Sequence, residues 1–250
     1  MQRYFLATEN FKGDLVRLTG DEAHHIARVM RMAADDQIIC CNESGKSAIV
    51  ELTQVEKEEV YGRIRQWLDE NSELPVEVTL AQGLPKGDKL EMIIQKATEL
   101  GVTAITPVAM ARSIVKLDPK KAAKKQERWK KIAKEAAEQS HRQRVPEIQS
   151  VQTLKELIKQ AGPFDLVLAA YEEEGKSGNH EGLPELLSGV QEGSRILFVI
   201  GPEGGFSSEE IVMLKDAGIF PVSLGPRILR TETAGLYSLS VLSYHFELLR

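Results

Sequence analysis

The sequence predicts an α/β protein in which a small β-rich domain precedes a domain with a mainly parallel sheet. Two observations lead to this prediction. From residue 75 onward, short apolar, β-branched stretches alternate with helical patterns, as expected of strands buried on both faces of a sheet. The earlier part of the chain instead holds closely spaced extended stretches. The polar sequence "DENSELP" separates the two patterns, so we place the domains at residues 1–72 and 73–250.

The first domain is predicted to contain three strands and one helix. The helix covers residues 20–32, "GDEAHHIARVMRM", and places Ile26, Val29 and Met30 on one face. The turn-forming sequence "ESG" joins the first two strands. The strands are expected at residues 37–42, 46–55 and 60–67.

The second domain is predicted to alternate strands with helices. A helix in "GDKLEMIIQKATELG" ends at Gly101, and a long helix over residues 119–144 has Trp129 and Ala133 on its apolar side. Further helices are expected at residues 207–217 and 233–249, and an exposed loop at residues 172–182. The strands are expected in "VEVTLAQGL", "VTAITPVAM", "FDLVLAAY", "RILFVIG" and "FPVSLG".

The composition argues against several classes of protein. No apolar run approaches the roughly 20 residues of a membrane span, and no apolar region follows a basic start, so neither a membrane protein nor a secreted one is expected. Cys40 and Cys41 are adjacent in a predicted strand, and we expect them to be buried thiols in a reducing cytoplasm. The histidines lack ligand spacing, so no metal is expected.

The charge is distributed unevenly along the chain, whose net charge is −5. Residues 1–72 hold nine Lys and Arg against thirteen Asp and Glu, whereas residues 86–144 hold fifteen against seven. A protein with one basic segment has a surface that attracts polyanions. The alternative is a solvated, lysine-rich helix, and the charge alone does not decide between the two.

A glycine-rich loop joins a strand to a helix in "FVIGPEGGFSSEE", residues 198–210. It lacks the P-loop lysine, the GxGxxG pattern of dinucleotide sites and the GxSxG nucleophile elbow. Ser207 and Glu210 have the spacing of a capping box, and Glu203, Glu209 and Glu210 would repel an anion at that helix end. The loop therefore favours close backbone approach to a neutral or cationic ligand, unless its glycines serve only a tight turn.

A second polar loop, "LGPRILRTETAG" at residues 224–235, follows the strand "FPVS" and leads into an apolar helix. Ligands of open parallel sheets bind beyond the carboxyl ends of the strands, so two such loops indicate a ligand site. The helix is apolar almost all round, which predicts burial on more than one side, in part against another subunit. The alternative for residues 230–233 is a helix start with a threonine cap and an Arg/Glu ion pair.

Longer motifs extend over most of the chain. They are "RYF" (3–5), "HHIARVMR" (24–31), "KGDKLEMIIQKATELGVTAITPV" (86–108) followed by Arg112 and Ser113, "EAAEQSHRQRVPEI" (135–148), "IGPEGGFSSEE" (200–210) and "LGPRILRTETA" (224–234). Together they resemble the SPOUT-class RNA methyltransferases, and within that class the RsmE family of 16S rRNA (uracil-N3) methyltransferases.

This resemblance implies a fold, a cofactor and an assembly. Residues 1–72 should form a PUA-like β-barrel that helps to hold RNA, and residues 73–250 a SPOUT domain whose C-terminal segment threads a trefoil knot. S-adenosylmethionine should lie folded in the knot, whose residues should pack across a homodimer interface. The expected cofactor-binding residues are Ala170, Ile200, Gly201, Glu203, Gly204, Gly205, Leu224, Gly225, Ile228, Leu229, Thr233 and Ala234.

The implied reaction is methylation of uracil N3 in the 16S rRNA of the small ribosomal subunit. N3 must lose its proton and lies on the Watson–Crick edge, so the base must be unpaired or turned out of its stack. We expect Arg230 to stabilise the uracil anion and Glu232 to act as a base or as the partner that orients Arg230. Phosphate contacts are expected from Arg3, Arg28, Arg31, Lys86, Lys89, Lys96, Arg112, Arg128, Arg142 and Arg144.

Two alternatives stay open. One is a SPOUT enzyme that acts on another RNA atom, such as a ribose 2′-hydroxyl or guanine N1, and the long match outside the knot disfavours it. The other is a non-catalytic RNA-binding or ribosome-assembly factor. The two intact polar loops disfavour that alternative, because a binding module needs no cofactor pocket.

Overall fold

The computed structural model describes residues 1–172 and 182–249, which divide into two compact units. Unit 1 comprises Met1–Glu73 and Ala137–Val145, and unit 2 comprises Leu74–Ala136 and Pro146–Arg250. Residues 1–72, predicted as the first domain, all belong to unit 1, which also includes Ala137–Val145. Most of the loop expected at 172–182 lies outside the described residues.

Unit 1 is built on a six-stranded sheet with the strand order β1-β4-β5-β6-β3-β2. Neighbouring strands are antiparallel except β1 and β4, which are parallel. The three predicted strands correspond to β4, β5 and β6, whereas the shorter β1, β2 and β3 were not predicted. The bounds are β1 (Arg3–Phe5), β2 (Phe11–Lys12), β3 (Leu15–Thr19), β4 (Gln37–Cys41), β5 (Ser47–Val55) and β6 (Glu59–Leu68).

The helical segment of unit 1 differs from the prediction. Helix α1 (Gly20–His24) continues as a π-helical turn (His25–Met30). Ile26 is fully buried, but Val29 is 60% exposed and Met30 39% exposed. The expected apolar face was therefore wrong, because a π turn does not keep the 3.6-residue period of an α-helix.

The cysteines of unit 1 lie where the sequence placed them. Cys40 and Cys41 belong to β4, and both are free, buried thiols, as expected. Burial is also the main reason that the pKa of each thiol is raised above its ordinary value. Neither sulfur therefore has the thiolate character of a reactive cysteine.

Unit 2 is built on a parallel sheet with the strand order β10-β8-β7-β12-β11-β13, and β9 also pairs with β8. All of these pairs are parallel, which confirms the predicted fold class. Strand β12 lies between β7 and β11 and is buried from its second residue onward. The bounds are β7 (Glu77–Gly83), β8 (Ala104–Ala109), β9 (Glu147–Ile148), β10 (Gln152–Thr153), β11 (Leu166–Ala170), β12 (Arg195–Ile200) and β13 (Phe220–Val222).

Two helices of unit 2 have different ends from those predicted. Helix α3 ends at Gln139 rather than residue 144, because His141 adopts a left-handed φ of 57° and the Arg142 N–H bonds back to the Ala137 carbonyl. The last long helix begins at Thr231 rather than residue 233. The helices are α2 (Lys89–Glu99), α3 (Pro119–Gln139), α4 (Leu154–Lys159), α5 (Gly182–Ser188), α6 (Ser208–Asp216) and α7 (Thr231–Ser243), the last continued by a π turn (Tyr244–Leu248).

Helix α7 packs on α2 and on the neighbouring strands β7 and β12. Its buried face includes Gly235, where an added Cβ would lie 3.1 Å from Gln82 Oε1 and 3.4 Å from the Leu80 side chain. The opposite face leaves Tyr237 and Tyr244 partly exposed. No helix within the described ranges is long and apolar enough to cross a membrane.

Candidate active site

A cleft of about 740 Å³ lies at the carboxyl ends of β11, β12 and β13. The loops that leave β12 and β13 line it, together with Tyr171 and Glu172 just after β11, as the rule for parallel sheets predicts. The N-terminal ends of α2 and α7 complete the wall, through Lys89 and through Arg230 and Thr231. The cleft therefore brings together both polar loops that the sequence singled out.

The glycine loop after β12 forms a tight turn, and the helix that follows it is hydrogen-bonded to a neighbouring segment. The Gly205 N–H donates to the Pro202 carbonyl at 2.9 Å, and Gly205 has a φ of 67°. Ser207 and Glu210 form the predicted capping box at the start of α6. Glu210 also accepts a 2.7 Å hydrogen bond from the Ala111 N–H, which joins this helix start to the segment after β8.

Two glycines of this region are required by packing. An added Cβ at Gly204 would lie 2.8 Å from the Cβ of Arg112, whose guanidinium donates to the Gly204 carbonyl at 2.9 Å. An added Cβ at Gly83, where β7 ends, would lie 2.6 Å from the backbone nitrogen of Pro202. Arg112, expected to contact RNA, thus lines the cleft and holds the glycine loop.

A buried hydroxyl connects the two loops. The Thr231 hydroxyl donates to the Gly201 carbonyl at 2.6 Å and accepts from the Gln82 side-chain amide at 2.8 Å. Thr231 is only 5% exposed. The residue before helix α7, Arg230, makes no side-chain cap, so the alternative of a threonine-capped helix start is not what the structure shows.

Lys89 lies between two carboxylates of the cleft region. Its ammonium is 3.1 Å from Glu203 Oε1 and 3.1 Å from Glu232 Oε2. The Lys86 N–H donates to the same oxygen of Glu203 at 3.1 Å. The glycine loop has no lysine of its own. The lysine beside it, Lys89, comes from the start of α2, a segment distant in sequence.

These contacts set the ionisation of all three groups. Partial burial disfavours the charged form of Glu203, but hydrogen bonds from the Lys86 N–H and the Lys89 ammonium outweigh it and hold its pKa below 4.5. Burial likewise disfavours the charged form of Glu232, whose pKa is held below its ordinary value by hydrogen bonds from its own N–H and Lys89, with nearby Arg230 contributing. The pKa of Lys89 is raised by hydrogen bonds to Glu203 and then Glu232.

Arg230 differs from its neighbours in the cleft. Its side chain is exposed, and among residues 1–172 and 182–249 it forms no hydrogen bond or ion pair. The Arg/Glu ion pair considered for residues 230–233 is thus absent, and Glu232 pairs with Lys89 instead. A guanidinium that lines a cleft without a partner is available to a bound anion.

The expected cofactor residues lie around one site. All of them line the cleft except Thr233, which is exposed on the first turn of α7. Tyr171 and Glu172, just after β11, line the cleft beside Ala170. Ser223 was not predicted, and its hydroxyl bonds both to the N–H and to the carbonyl of Gly225, which has a φ of 105°. Residues that line the cleft without having been predicted to do so are Lys89, Arg112, Pro202, Phe206, Ser208, Ser223, Pro226, Arg227 and Thr231.

The cations expected to contact RNA fall into two groups. Some are exposed or partly exposed, and several of these pair with carboxylates: Lys96 lies 2.7 Å from Glu99, and Arg128 lies 2.7 Å from Glu91. Arg3 and Arg142 are instead buried, each 3% exposed. The exposed members of the set are Arg28, Arg31, Lys86, Arg112, Arg128 and Arg144.

Arg3 and Arg142 belong to the interior of unit 1. Arg3 donates to the carbonyl of Arg142 at 3.1 Å and to the Ser47 hydroxyl at 3.3 Å. Arg142 pairs with Glu73, which also accepts the Gln143 N–H at 2.9 Å. Their side chains are thus engaged inside the protein, so the geometry gives them a role in holding Ala137–Val145 against the sheet rather than in phosphate contacts.

No cluster of three or more His, Cys, Asp or Glu side chains able to hold a metal ion occurs in the described part of the chain.

Comparison with known proteins agrees with this architecture. Residues 72–243 match the model of the RNA methyltransferase domain, and residues 18–65 match that of the RNA methyltransferase PUA domain. The ribosomal RNA small subunit methyltransferase E of Bacillus subtilis is 50% identical over 253 residues, covering 100% of this chain and 99% of the relative. The chain belongs to the ribosomal RNA small subunit methyltransferase E family.

Other members of the family are similar over nearly the whole chain. The enzyme of this name from Synechocystis is 34% identical, covering 95% of this chain and 76% of the relative. A crystal structure of a ribosomal RNA small subunit methyltransferase E from Neisseria gonorrhoeae, bound to S-adenosyl methionine, has a TM-score of 0.83 and 31% identity, and the match covers 97% of both chains. This likeness confirms the pairing of an N-terminal, mostly antiparallel sheet with a C-terminal parallel sheet.

Proposed function

We propose that this protein transfers the methyl group of S-adenosylmethionine to N3 of a uracil in the 16S rRNA of the small ribosomal subunit. Membership of the methyltransferase E family supports the rRNA substrate and the cofactor. The structural observation that carries the proposal is the unpartnered Arg230 guanidinium in a cleft at the carboxyl ends of three parallel strands.

The cleft fits a cofactor of this kind. Its volume of about 740 Å³ lies within the range of roughly 300–1,000 Å³ for small-molecule sites. Leu224, Ile228 and Leu229 provide apolar surface for an adenine, and the glycine loop provides exposed backbone opposite. Glu203 lines the cleft, and with Glu232 beside it the two carboxylates outnumber the Lys89 ammonium by one charge, so this group of three does not repel a sulfonium. When bound, S-adenosylmethionine supplies an electrophilic methyl group.

The residues of the chain then act on the uracil. Methyl transfer is an in-line displacement, so much of its rate comes from holding the two reactants in position. Deprotonated uracil carries negative charge over N3 and its flanking carbonyl oxygens, and Arg230 is the group that we assign to that charge. Glu232 lies two residues away and is ion-paired with Lys89. Its lowered pKa makes it a weak base, so we assign it no part in proton transfer.

Each unit supplies exposed cations for RNA phosphates. In unit 1 these are Arg28, Arg31 and Arg144, and in unit 2 they include Lys86 and Arg112. We leave Arg3 and Arg142 out of the proposed RNA surface because both are buried. The remaining members of the proposed set are Lys89, Lys96 and Arg128, all engaged by carboxylates within the chain.

The C-terminal helix supports a proposed homodimer. Tyr237, Tyr244, Leu248 and Leu249 are all at least 40% exposed, although α7 and its π turn are largely apolar. Apolar residues of this size that remain exposed along one element are typical of an interface.

Because its proposed substrate is ribosomal RNA, we place the protein in the cytoplasm.

The test uses rRNA from a strain that lacks the gene and the purified protein. Mass analysis of 16S rRNA should show loss of one uracil methylation, restored by the wild-type protein and not by Arg230→Ala. Calorimetry should show binding of S-adenosylmethionine. A methyl group found on a ribose or a guanine would indicate the other reaction, and unaltered rRNA with no cofactor binding would indicate a non-catalytic factor.

A further inference from the structure

Lys89 connects three segments of unit 2. It opens helix α2, lines the cleft and lies 3.1 Å from both Glu203 and Glu232. Glu203 belongs to the glycine loop after β12, and Glu232 belongs to the first turn of α7. One ammonium therefore holds the loop proposed to bind the cofactor and the helix start proposed to meet the uracil.

Arg230 is the second cation near Glu232. It immediately precedes α7, and its charge favours the ionised form of Glu232, so the two groups are within electrostatic reach. Even so, the Arg230 guanidinium has no hydrogen bond or ion pair among the residues that the structure describes. Glu232, only 14% exposed in its side chain, bonds to Lys89 instead.

We infer that Lys89 is a positioning residue for methyl transfer, because by holding Glu232 it keeps the Arg230 guanidinium free for the uracil anion. A carboxylate and a guanidinium form strong, bidentate pairs when nothing else engages either group. Lys89 and Arg230 are the two cations that favour the ionised form of Glu232, so without Lys89 the Glu232 carboxylate would compete with the substrate for Arg230. The inference rests on the proposed function.

The inference gives Lys89 a role different from a phosphate contact. A lysine that binds phosphate contributes to RNA affinity and to its salt dependence. A lysine that engages Glu232 contributes to turnover of the bound substrates, and its effect depends on the presence of the Glu232 carboxylate. The two roles therefore separate in kinetics and in a double-mutant cycle.

The experiment compares wild type, Lys89→Met, Lys89→Met with Glu232→Gln, and Lys89→Arg. Transfer of labelled methyl groups to 16S rRNA is measured over both substrate concentrations. We expect Lys89→Met to lower kcat by about tenfold or more, with a smaller change in the KM for RNA. Adding Glu232→Gln should restore much of the lost kcat, because no carboxylate remains to engage Arg230. Lys89→Arg should stay close to wild type. Lys159→Met, a lysine of α4 outside the cleft, is the matched control.

A second measurement follows Arg230 without substrates or turnover. Phenylglyoxal modifies free guanidinium groups, and peptide mass analysis reports the rate at Arg230. We expect fast modification in wild type, slower modification in Lys89→Met and recovery in the double variant. Thermal unfolding of each variant is recorded, and Lys89→Gln with its Glu232→Gln partner replaces the Met pair if the latter does not fold.

The outcomes are separable. A Lys89→Met protein with wild-type kcat, raised KM for RNA and a shallower salt dependence overturns the inference in favour of a phosphate contact. A double variant no more active than Lys89→Met, with Arg230 equally reactive in all variants, also overturns it. Wild-type protein that places no methyl group on uracil N3 overturns the proposed function instead, while the phenylglyoxal rates still decide whether Lys89 keeps Arg230 free.

Discussion

The hydroxyl of Thr231 donates a 2.6 Å hydrogen bond to the carbonyl of Gly201. It joins the start of helix α7 to the end of strand β12, and so fixes the separation of the two loops that face each other across the cleft. The Gln82 amide, which donates to the same hydroxyl at 2.8 Å, extends the connection to strand β7. Three chain segments thus meet at one buried oxygen.

Replacement of Thr231 by Val should weaken both folding and cofactor binding. The isosteric change leaves the Gly201 carbonyl and the Gln82 amide without their partner, at a cost of about 1–3 kcal/mol in the free energy of unfolding. Urea denaturation and calorimetry with S-adenosylmethionine measure the two effects. Thr231→Ser keeps the hydroxyl and is the control. Equal cofactor affinity in the Val and Ser variants would show that the hydroxyl does not position the loops.

Replacement of Gly83 by Ala should destabilise unit 2. The new methyl group would lie 2.6 Å from the Pro202 backbone nitrogen, a contact that only a shift of the glycine loop can relieve. Overpacking of this kind costs about 1–3 kcal/mol. Gly162→Ala is the control, because no atom lies within 4 Å of its added Cβ, and we expect it to be neutral or stabilising by up to roughly 1 kcal/mol. Urea denaturation of both variants checks the contrast.

Replacement of Arg142 by Met should act on folding of unit 1 rather than on RNA contacts. The change leaves Glu73 without its buried cation and removes about 3 kcal/mol from the free energy of unfolding. Arg144→Met, at an exposed position two residues further on, should change it by no more than about 0.5 kcal/mol. If Arg142→Met instead hardly changed the free energy of unfolding but weakened RNA binding, Arg142 would be a phosphate contact, as the sequence predicted.

Local patterns in the sequence were sufficient for much of the fold. The central strands of the parallel sheet are continuous apolar runs because they are buried on both faces, and β12 shows this from Ile196 to Ile200. The capping box of Ser207 and Glu210 depends on a three-residue spacing, so it was visible without tertiary structure. The cleft followed from the rule that ligands bind at the carboxyl ends of strands.

Contacts between distant segments were not predictable in the same way. Lys89 and Glu232 are 143 positions apart, and no periodicity connects them. Arg3 and Arg142 are 139 positions apart, and each looked like a surface cation because its partners lie elsewhere in the chain. The threading of the knot implied by family resemblance stays a prediction for the same reason, since a local pattern does not specify how a chain passes through itself.

Removal of the Lys89 ammonium should change how stability depends on pH. Glu203 and Glu232 have folded-state pKa values below the ordinary 4.5, so their contribution is present above that pH and is lost as the pH falls through the lowered values. Lys89 has a folded-state pKa above 10.5, so its contribution is present below that pH and is lost as the pH rises through the raised value. The stability difference between wild type and Lys89→Met should therefore shrink at both extremes.

Urea denaturation at a series of pH values measures this difference. Lys159→Met should show an offset from wild type that does not follow these two windows. If the stability difference between wild type and Lys89→Met stayed constant from neutral pH to pH values well below 4.5, the proposed electrostatic role of Lys89 toward Glu203 and Glu232 would be contradicted.

Replacement of Arg28 and Arg31 by Gln should reduce the salt dependence of RNA binding. Both side chains are exposed at the end of the π turn in unit 1, and within the described residues neither forms an ion pair. Each cation that neutralises a phosphate releases counterions, so the slope of log K against log salt should become shallower by roughly 0.7–0.9 for each lost contact. Fluorescence anisotropy with a labelled 16S rRNA fragment measures the slope.

Arg17→Gln is the matched control, because Arg17 is exposed in the same unit but pairs with Glu59. If Arg17→Gln lowers the slope as much as Arg28→Gln and Arg31→Gln do, the effect comes from net charge, and the two arginines of the π turn are not phosphate contacts.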